Sequence, residues 1–256
     1  MVFLNNVSAS YDNRQVIRGI SMRVNKGSMV GVVGKNGSGK TTLLRLISGI
    51  MNPDSGEVFI TGKPLKTYAR MELARVVACL VQNQDSGVPF SVEELVKLGR
   101  WPHRGNSNAD HRAIVNEAMV RADVLQFATR PFETLSGGEK QRALIASCLA
   151  QEPRILLLDE PTNHMDLCHQ LSFMHLLKQL VAKINLTVVV ILHDLNMAIE
   201  YCDEIHMLMN GRILRSGTPA EVITSESVSA CFDTASTIIR NPCSGLPLVI
   251  PMHPEK

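Results

Sequence analysis

The stretch from Val30 to Thr42, VGVVGKNGSGKTT, constrains the fold of this chain more than any other. Its apolar, β-branched start predicts a buried strand that ends at Gly34, and the residues after Thr42, LLRLISGI, have the pattern of a helix. The segment between them fits G-x-x-x-x-G-K-T, a loop whose backbone N–H groups and following helix N-terminus surround a phosphate. Lys40 is expected to reach the β- and γ-phosphates, and the Thr41 hydroxyl to ligate Mg²⁺. A glycine-rich turn without a ligand would not need the lysine and the hydroxyl, so we expect a nucleoside triphosphate here.

Composition excludes several classes of protein. The chain of 256 residues is 45% hydrophobic, which supports a packed core, and its formal net charge of +2 gives no electrostatic sign of nucleic-acid binding. Apolar runs such as Leu186 to Leu192 are too short to span a bilayer, and the first residues lack the basic and apolar regions of a secretion signal. The six cysteines are scattered without a C-x-x-C, which favours reduced thiols over a disulfide framework or a zinc site.

Hydrophobic periodicity predicts an α/β fold. Helices are predicted at 92–98, after Asp110, at 140–150, 169–183 and 197–202, and as one segment from 219 to about 232. In the helix after Asp110, one face is expected to carry Ile114, Ala118, Ala122 and Leu125. In the helix at 169–183, the inward residues are expected to be Leu171, Met174, Leu177 and Val181. Strands are predicted at 3–9, 16–24, 30–33, 57–61, 75–81, 155–158, 187–192 and 204–209, and Asn210-Gly211 predicts a hairpin turn. Because the fully apolar strands alternate with helices, we expect a parallel sheet covered on both faces.

Two carboxylates follow the apolar strand ILLL. Asp159 and Glu160 come directly after it, at the strand end where ligands lie in open α/β sheets. Asp159 is placed to orient Mg²⁺ through its water shell, and Glu160 to act as general base on the attacking water. A solvated strand end is the alternative interpretation, and the phosphate loop makes it the weaker one.

A second glycine-containing segment, LSGGE, precedes the helix predicted from Lys140. A hydroxyl and two glycines at a helix N-terminus form an anion-binding site, although the pattern alone is also that of a capped helix start. Since one nucleotide needs only one such loop, the second suggests that two chains close on each nucleotide. His193 and Gln82 each follow a predicted strand and are expected near the γ-phosphate and the attacking water, while Tyr11 is a candidate for stacking on the base.

The motifs LSGGEKQR, ILLLDEPT and ILHD follow the phosphate loop in an order and spacing that resemble those of the ATP-binding-cassette (ABC) ATPases, over residues 2 to about 251. The resemblance implies ATP and Mg²⁺ as ligands. It implies Glu160, His193 and Gln82 as catalytic residues, and Thr41, Gln82 and Asp159 at the metal. The nucleotide-binding residues that it implies are Tyr11, Gly34, Lys35, Asn36, Gly37, Ser38, Gly39, Lys40, Thr41, Thr42, Ser136, Gly137, Gly138 and Glu139.

The fold implied by this resemblance is an α/β P-loop NTPase with a RecA-like parallel sheet core, an antiparallel β-subdomain and a helical subdomain. We expect one nucleotide-binding domain over 1–256, with the helical subdomain inserted at about 89–150 and a C-terminal extension at about 219–256. The family also implies a head-to-tail homodimer, in which ATP on the phosphate loop of one chain is capped by Ser136–Glu139 of the other. Residues 163–166 correspond to the family's D-loop.

A narrower resemblance concerns FSVEELVKLGRWPHRG, DEPTNHMDLCHQ and NPCSGLPLVIP, which look like segments of the importer ATPases for ferric siderophores, haem and cobalamin. It implies a peripheral subunit on the cytoplasmic face of the inner membrane. Two membrane permease subunits would contact it near Gln82 and the helical insertion, and an external binding protein would deliver the substrate. Met165 and Val81 depart from the usual leucine and proline, so the compound, a metal oxyanion included, stays open.

Two other functions compete with import. The first is a soluble ABC ATPase in iron–sulfur cluster assembly or on the ribosome; the ribosomal relatives usually carry two cassettes, and the cluster-assembly relatives lack the GR-x-P-H segment. The second is a P-loop GTPase or kinase, but the chain has no N-K-x-D element to recognise the base, and LSGGE has no role there.

Overall fold

A computed structural model describes residues 1–12, 14–81, 90–105, 110–163 and 165–252. Its strands are β1 (Val2–Tyr11), β2 (Arg14–Val24), β3 (Met29–Val33), β4 (Ser55–Ile60), β5 (Lys63–Pro64), β6 (Val77–Leu80), β7 (Ile155–Asp159), β8 (Thr187–Ile191), β9 (Glu204–Met209), β10 (Arg212–Gly217), β11 (Ser236–Arg240) and β12 (Pro247–Pro251). Its helices are α1 (Lys40–Ile47), α2 (Arg70–Ala74), α3 (Val92–Leu98), α4 (His111–Arg121), α5 (Gly137–Ala150), α6 (Leu167–Ile184), α7 (Leu195–Tyr201), α8 (Pro219–Val222) and α9 (Ser225–Phe232).

The chain forms two compact units. The first comprises Met1–Thr67 and Thr187–Lys256, and the second comprises Tyr68–Leu186. The phosphate loop therefore belongs to the first unit, and the segments LSGGE and DEPT belong to the second.

The first unit contains an antiparallel sheet with the strand order β2-β1-β4-β5. The buried residues of β1 are Val2, Leu4, Val7 and Ala9. Its alternation is interrupted between Leu4 and Val7, where the pairing with β2 shifts register and Asn6 has a φ of 48°. The antiparallel hairpin of β11 and β12 is also part of this unit.

A parallel arrangement around β3 positions the phosphate loop in the first unit. β3 pairs in parallel with β8 on one side and with β9 on the other, and every residue of β3 and β8 is buried. β10 turns back antiparallel to β9 after the hairpin at Asn210-Gly211. Because parallel strands end at the same edge, the residues that follow β3 and β8 lie side by side.

The second unit combines a parallel strand pair with helices. β6 pairs in parallel with β7, from Val77 opposite Ile155 to Leu80 opposite Leu158. Helices α3, α4 and α5 pack on one another, and α6 packs on α5. Parallel strands accompanied by helices in both units confirm the α/β prediction, and all three of α3, α4 and α5 fall within the predicted insertion at 89–150.

Several local predictions were wrong. Leu171 is 43% exposed and Leu125 is 39% exposed, because α6 buries Phe173 and Leu180 instead and Leu125 lies in a 3₁₀ turn after α4 ends. The strand β6 is shorter than the predicted 75–81. The single helix predicted from 219 is two helices, because Thr224 caps a new start by accepting a hydrogen bond from the backbone N–H of Ser227.

Within the described residues, no helix combines the length and the apolar character needed to cross a membrane. None of the six cysteines forms a disulfide. The same described residues contain no group of three or more His, Cys, Asp or Glu side chains arranged to hold a metal ion.

Candidate nucleotide-binding site

The predicted site residues are divided between the two units. The first unit brings together Tyr11, the loop from Gly34 to Thr42, and His193, and the second contains Ser136–Glu139, Asp159 and Glu160. Gln82 lies outside the described residues.

The phosphate loop has a backbone that only glycine can adopt at its two ends. Gly34 has a φ of 152°, and a Cβ there would lie 2.1 Å from the carbonyl oxygen of Leu208. Gly39, which precedes α1, has a φ of 106°, and its Cβ would lie 2.8 Å from Cδ1 of Ile17. Both glycines of the sequence motif are therefore required by a positive φ and by a close neighbour.

Lys40 is 5% exposed and folds back over the loop. Its Nζ donates hydrogen bonds to the carbonyl oxygens of Gly34, at 2.8 Å, and Lys35, at 3.0 Å. The Oγ of Ser38 is buried and has no hydrogen-bond partner among the described residues. A buried ammonium group and a buried hydroxyl on one loop form a site for the oxygens of a polyphosphate.

The hairpin of β9 and β10 contacts the backbone of the phosphate loop. The backbone N–H of Gly211 donates to the carbonyl oxygen of Ser38 at 3.1 Å, and the carbonyl of Leu208 leaves no room for a side chain at Gly34. Lys35 also forms an ion pair with Asp233, just after α9. Residues far along the chain thus hold the loop in shape, and no local pattern signals them.

His193 lies at the same sheet edge as the phosphate loop. Ile191 of β8 is paired with Val32 of β3, and the backbone N–H of Leu192 donates to the carbonyl oxygen of Val32 at 3.2 Å. His193 is exposed and comes two residues after this pair, while Gly34 follows β3 one residue beyond Val33. His193 therefore follows β8, as predicted, at the edge where β3 leads into the phosphate loop.

Tyr11 lies at the end of β1 and is 38% exposed. Its hydroxyl accepts a hydrogen bond from Nη1 of Arg45, on α1, at 3.1 Å. The tyrosine is therefore tied to the helix that follows the phosphate loop. The sequence gives no signal for the role of Arg45, because the two residues are 34 positions apart.

The LSGGE segment of the second unit forms the start of α5. The backbone N–H and the hydroxyl of Ser136 form a capping box with Glu139: Ser136 N–H donates to Oε2 of Glu139 at 2.7 Å, and Oγ of Ser136 accepts from Glu139 N–H at 3.4 Å. The hydrogen bond from the Ser136 backbone lowers the pKa of Glu139 from its usual value. The capped helix start expected from the pattern is present, and Ser136 and Gly137 are exposed at its tip.

Asp159 and Glu160 end the buried strand β7, as predicted. Asp159 is 5% exposed. Glu160 has a φ of 51°, an uncommon conformation for a residue with a long side chain. Nδ2 of Asn163 donates to Oε2 of Glu160 at 2.7 Å, so the carboxylate is held in one orientation by its own turn.

The strand beside Asp159 carries a thiol that stays protonated. Burial, together with the charge of Asp159, raises the pKa of Cys79 on β6 to about 11. At neutral pH this sulfur is therefore not a thiolate and does not compete with the carboxylate for a hard cation.

Asp166 caps α6 and holds the side chain of His169, which in turn contacts the start of α5. Its Oδ1 accepts from the backbone N–H of His169 at 2.9 Å, which caps α6, and its side chain also bonds Nδ1 of that imidazole. These hydrogen bonds lower the pKa of Asp166. The imidazole in turn lies against the start of α5: a Cβ on Gly138 would be 2.7 Å from Cδ2 of His169. His169 was not among the predicted site residues, although its place three residues after a helix-capping aspartate gives a signal for the cap.

Comparison with known proteins identifies the family to which the chain belongs. Residues 17–163 match the model of the family described as ABC transporter. The chain is 35% identical to the hemin import ATP-binding protein HmuV of Escherichia coli O157:H7, over 99% of this chain and 100% of that protein. It is 36% identical to the ferric enterobactin transport ATP-binding protein FepC of Escherichia coli K12, over 96% of this chain and 92% of that protein.

Two further comparisons concern a longer protein and a solved structure. The chain is 40% identical over 98% of its length to YvrA of Bacillus subtilis strain 168, an uncharacterised ABC transporter ATP-binding protein, but spans only 57% of that protein. A dimeric ATP-binding cassette in a post-hydrolysis state, bound to ADP and Pi, superposes with a TM-score of 0.74 at 30% identity, covering 85% of this chain and 98% of that one. These likenesses agree with the P-loop, with the capped LSGGE helix and with the acidic end of β7. The chain therefore belongs to the ABC transporter family and is an ATP-binding ATPase of that family.

Proposed function

We propose that this protein is the ATP-hydrolysing subunit of an importer, and that it drives uptake of an iron chelate, haem or cobalamin through a separate membrane permease. The observation that carries the proposal is the match along nearly the full length of both proteins to relatives named for hemin import and ferric enterobactin transport. Because these relatives are named for import and transport, they favour a transport function over the alternative, a soluble ATPase of iron–sulfur cluster assembly or the ribosome. The formal net charge of +2 supports no nucleic-acid partner.

The phosphate loop fits the polyphosphate of ATP. Lys40 would exchange its bonds to the carbonyls of Gly34 and Lys35 for the β- and γ-phosphate oxygens, which are stronger, charged acceptors. The buried hydroxyl of Ser38 would gain an acceptor or donor there. Tyr11, held by Arg45, is the candidate for the base.

Thr41, Asp159 and Gln82 are the candidate ligands for Mg²⁺. The hydroxyl of Thr41 follows Lys40 at the start of α1, and the buried carboxylate of Asp159 ends β7; a hard cation prefers such oxygen ligands. Bound with ATP, Mg²⁺ would neutralise charge on the phosphate oxygens.

Glu160 is the proposed general base. Asn163 donates to Oε2 of Glu160 and so holds the carboxylate in place. A carboxylate can accept a proton from an attacking water as a general base. His193, at the edge next to the phosphate loop, is placed to donate to the γ-phosphate, and Gln82 to orient the water. If the roles are divided in this way, removal of the negative charge of Glu160 should leave ATP binding intact and slow ATP hydrolysis.

The exposed tip of α5 is the proposed cap for a nucleotide on a second copy of the chain. Ser136, Gly137 and Gly138 offer a hydroxyl and backbone N–H groups at a helix N-terminus. The dimeric, ADP-bound state of a 30% identical cassette supports this arrangement. ATP would then favour closure because it touches both chains only in the closed dimer, and hydrolysis would reopen it.

The proposed function also requires a membrane permease and a substrate-binding protein, both of which are separate chains. We propose a peripheral position on the cytoplasmic face of the inner membrane, with two permease subunits contacting the region of Gln82 and the helical insertion. An external binding protein would supply the substrate. Co-purification of the permease, followed by identification of the compound that its binding protein retains, would decide between iron chelate, haem, cobalamin and metal oxyanion.

The variant Glu160→Gln tests the catalytic assignment. ATP affinity is expected to stay near that of the natural protein, while turnover falls by a factor of about 10² to 10⁴, the usual contribution of a general base. The trapped ATP state is expected to be a dimer by light scattering. Glu57→Gln, which removes a partly exposed carboxylate paired with Lys66, is the matched control.

Two outcomes would contradict this account. Unchanged turnover in Glu160→Gln would remove Glu160 as the base. A Glu160→Gln protein that stays monomeric with ATP at high concentration would remove the two-chain site, whatever its turnover.

A further inference from the structure

A basic cavity lies in the second unit, between the end of α3 and the start of α4. Its volume is about 560 Å³, and none of the residues assigned to ATP chemistry lines it. Most of its lining side chains are basic or aromatic: Lys97, Arg100, Trp101, Arg104, His111 and Arg112. A cavity of this size accommodates a small ligand or a protruding side chain.

Arg100 forms the buried part of the wall. Its side chain is 6% exposed; Nε donates to Nδ1 of His111 at 3.1 Å, and Nη1 donates to the carbonyl oxygen of Ala150 at 2.6 Å and to Oε2 of Glu152 at 2.7 Å. The remaining nitrogen, Nη2, is buried and has no acceptor among the described residues. A buried guanidinium nitrogen without an acceptor is costly, and an acceptor that reached it from the cavity would offset that cost.

The contact with Arg100 also determines what His111 offers. Because Nδ1 accepts a hydrogen bond, it carries no proton, and the proton of the neutral ring is on Nε2. His111 therefore presents a donor and not an acceptor on its remaining nitrogen.

The balance of charge around the cavity is positive. Glu93 is paired with Lys97 at 2.7 Å, and Glu152 with Arg100. Arg104 lies over the ring of Trp101, with its guanidinium carbon 3.3 Å from the ring centroid. Within the described part of the chain, no carboxylate pairs with Arg104 or with Arg112. Among the residues that the structure describes, Arg104 and Arg112 thus line this cavity without a carboxylate partner.

We propose that this cavity binds an oxyanion, a carboxylate or a phosphate group, between Arg104 and Arg112, with Arg100 and His111 as further donors. The planar fork of arginine matches two oxygens of such a group, and the stacked position on Trp101 orders that fork before the ligand arrives. The oxyanion comes either from free solution or from an acidic side chain of the membrane subunit; the second source rests on the proposed function, and the first does not.

Thermal unfolding of the full chain in inorganic phosphate tests the site. The phosphate loop is a second anion site, so the experiment uses Lys40→Ala as the background and holds ionic strength constant with chloride. We expect phosphate to raise the melting temperature of Lys40→Ala. Adding Arg104→Gln and Arg112→Gln is expected to weaken the apparent phosphate affinity at least about tenfold, the effect of one lost charged contact.

The matched control is Arg121→Gln, which removes an arginine from the same helix α4, where it pairs with Glu117 outside the cavity. This variant is expected to keep the phosphate response. The proposal is overturned if Lys40→Ala shows no response to phosphate, or if the Arg104→Gln and Arg112→Gln changes leave the response intact.

Co-expression with the membrane subunits distinguishes the two sources. If Arg104→Gln with Arg112→Gln loses both the phosphate response and co-purification with the permease, the occupant is a carboxylate of the permease. If it loses the phosphate response and co-purifies normally, the occupant is a free anion. Turnover of the isolated Arg104→Gln and Arg112→Gln protein is expected to equal that of the natural protein, which separates a failure here from a failure of the ATPase assignment.

Discussion

Two glycine-containing helix starts in this protein are built in opposite ways. The phosphate loop leads into α1 through glycines with φ values of 152° and 106°, and it buries Lys40 and Ser38. The start of α5 has an ordinary N-cap, with Ser136 at a φ of −64°, and Ser136 and Gly137 are exposed. The first start is enclosed by its own unit, and the second is open to whatever approaches it.

This difference suits the phosphate loop to bind a nucleotide, and the start of α5 to cap a nucleotide that is bound elsewhere. The phosphate loop offers donors that are already gathered and shielded, so one chain suffices to hold a polyphosphate there. At α5, Ser136 and Glu139 already satisfy each other, so the helix start is stable without a ligand. It is therefore suited to add contacts to a nucleotide held elsewhere.

The largest expected contrast is between Gly34→Ala and Gly138→Ala. A Cβ at Gly34 meets a backbone carbonyl at a positive φ, and we expect a loss of at least about 4 kcal/mol in the free energy of unfolding. At Gly138, which has no positive φ, the Cβ meets the imidazole of His169; displacing that ring costs its hydrogen bonds to Asp166, so the loss should be smaller, about 1 to 2 kcal/mol. Urea unfolding measures both, and equal losses would contradict the comparison.

Lys40→Ala tests whether the phosphate loop is the principal binding site. The phosphates would lose a buried counter-charge, and we expect ATP affinity to fall by about 3 to 5 kcal/mol. Isothermal titration with ATP gives the value. Lys35→Ala, on the more exposed lysine that pairs with Asp233, should cost much less, and a loss equal to that of Lys40→Ala would remove the special role of Lys40.

Acid should act on the first unit through His206, a buried residue of β9. Burial lowers the pKa of His206 to about 4, although the backbone of Arg23 opposes the shift. Between pH 6.5 and 4 the unfolded chain binds a proton that the folded chain does not, so stability falls by about 3 kcal/mol as pH falls and is constant above pH 6.5. Urea unfolding across this range should show the slope, and His206→Leu should remove it.

Ser136→Ala should have the smallest effect on stability. It removes an N-cap hydroxyl, and we expect a loss of about 1 kcal/mol in the free energy of unfolding. Ser91→Ala removes the same kind of cap, in a capping box with Glu94 at α3, and is the matched control. Only Ser136→Ala is expected to weaken ATP-dependent dimerisation; equal dimerisation in the two variants would show that the tip of α5 caps no nucleotide.

The sequence predicts those parts of the molecule that depend on local pattern. The strand, loop and helix around Gly34 to Lys40, the capped start of α5 and the acidic end of β7 are each encoded within a few neighbouring residues, and the structure contains all three. Helical spacing also predicts the buried face of α6 correctly at Met174, Leu177 and Val181, but not at Leu171, because how far along the helix that face is covered depends on residues distant in the chain. The bond between Arg45 and Tyr11 and the contact of His169 with Gly138 escaped prediction for the same reason.

The hairpin of β9 and β10 contains none of the sequence motifs described above, yet its backbone fixes the conformation of the phosphate loop. The contacts described run through main-chain atoms, the carbonyl of Leu208 and the N–H of Gly211, so residue type at these positions does not reveal them. Gly211 itself admits no side chain, since a Cβ would lie 2.1 Å from the carbonyl oxygen of Val16. Altered affinity for ATP can therefore originate in residues that never touch it.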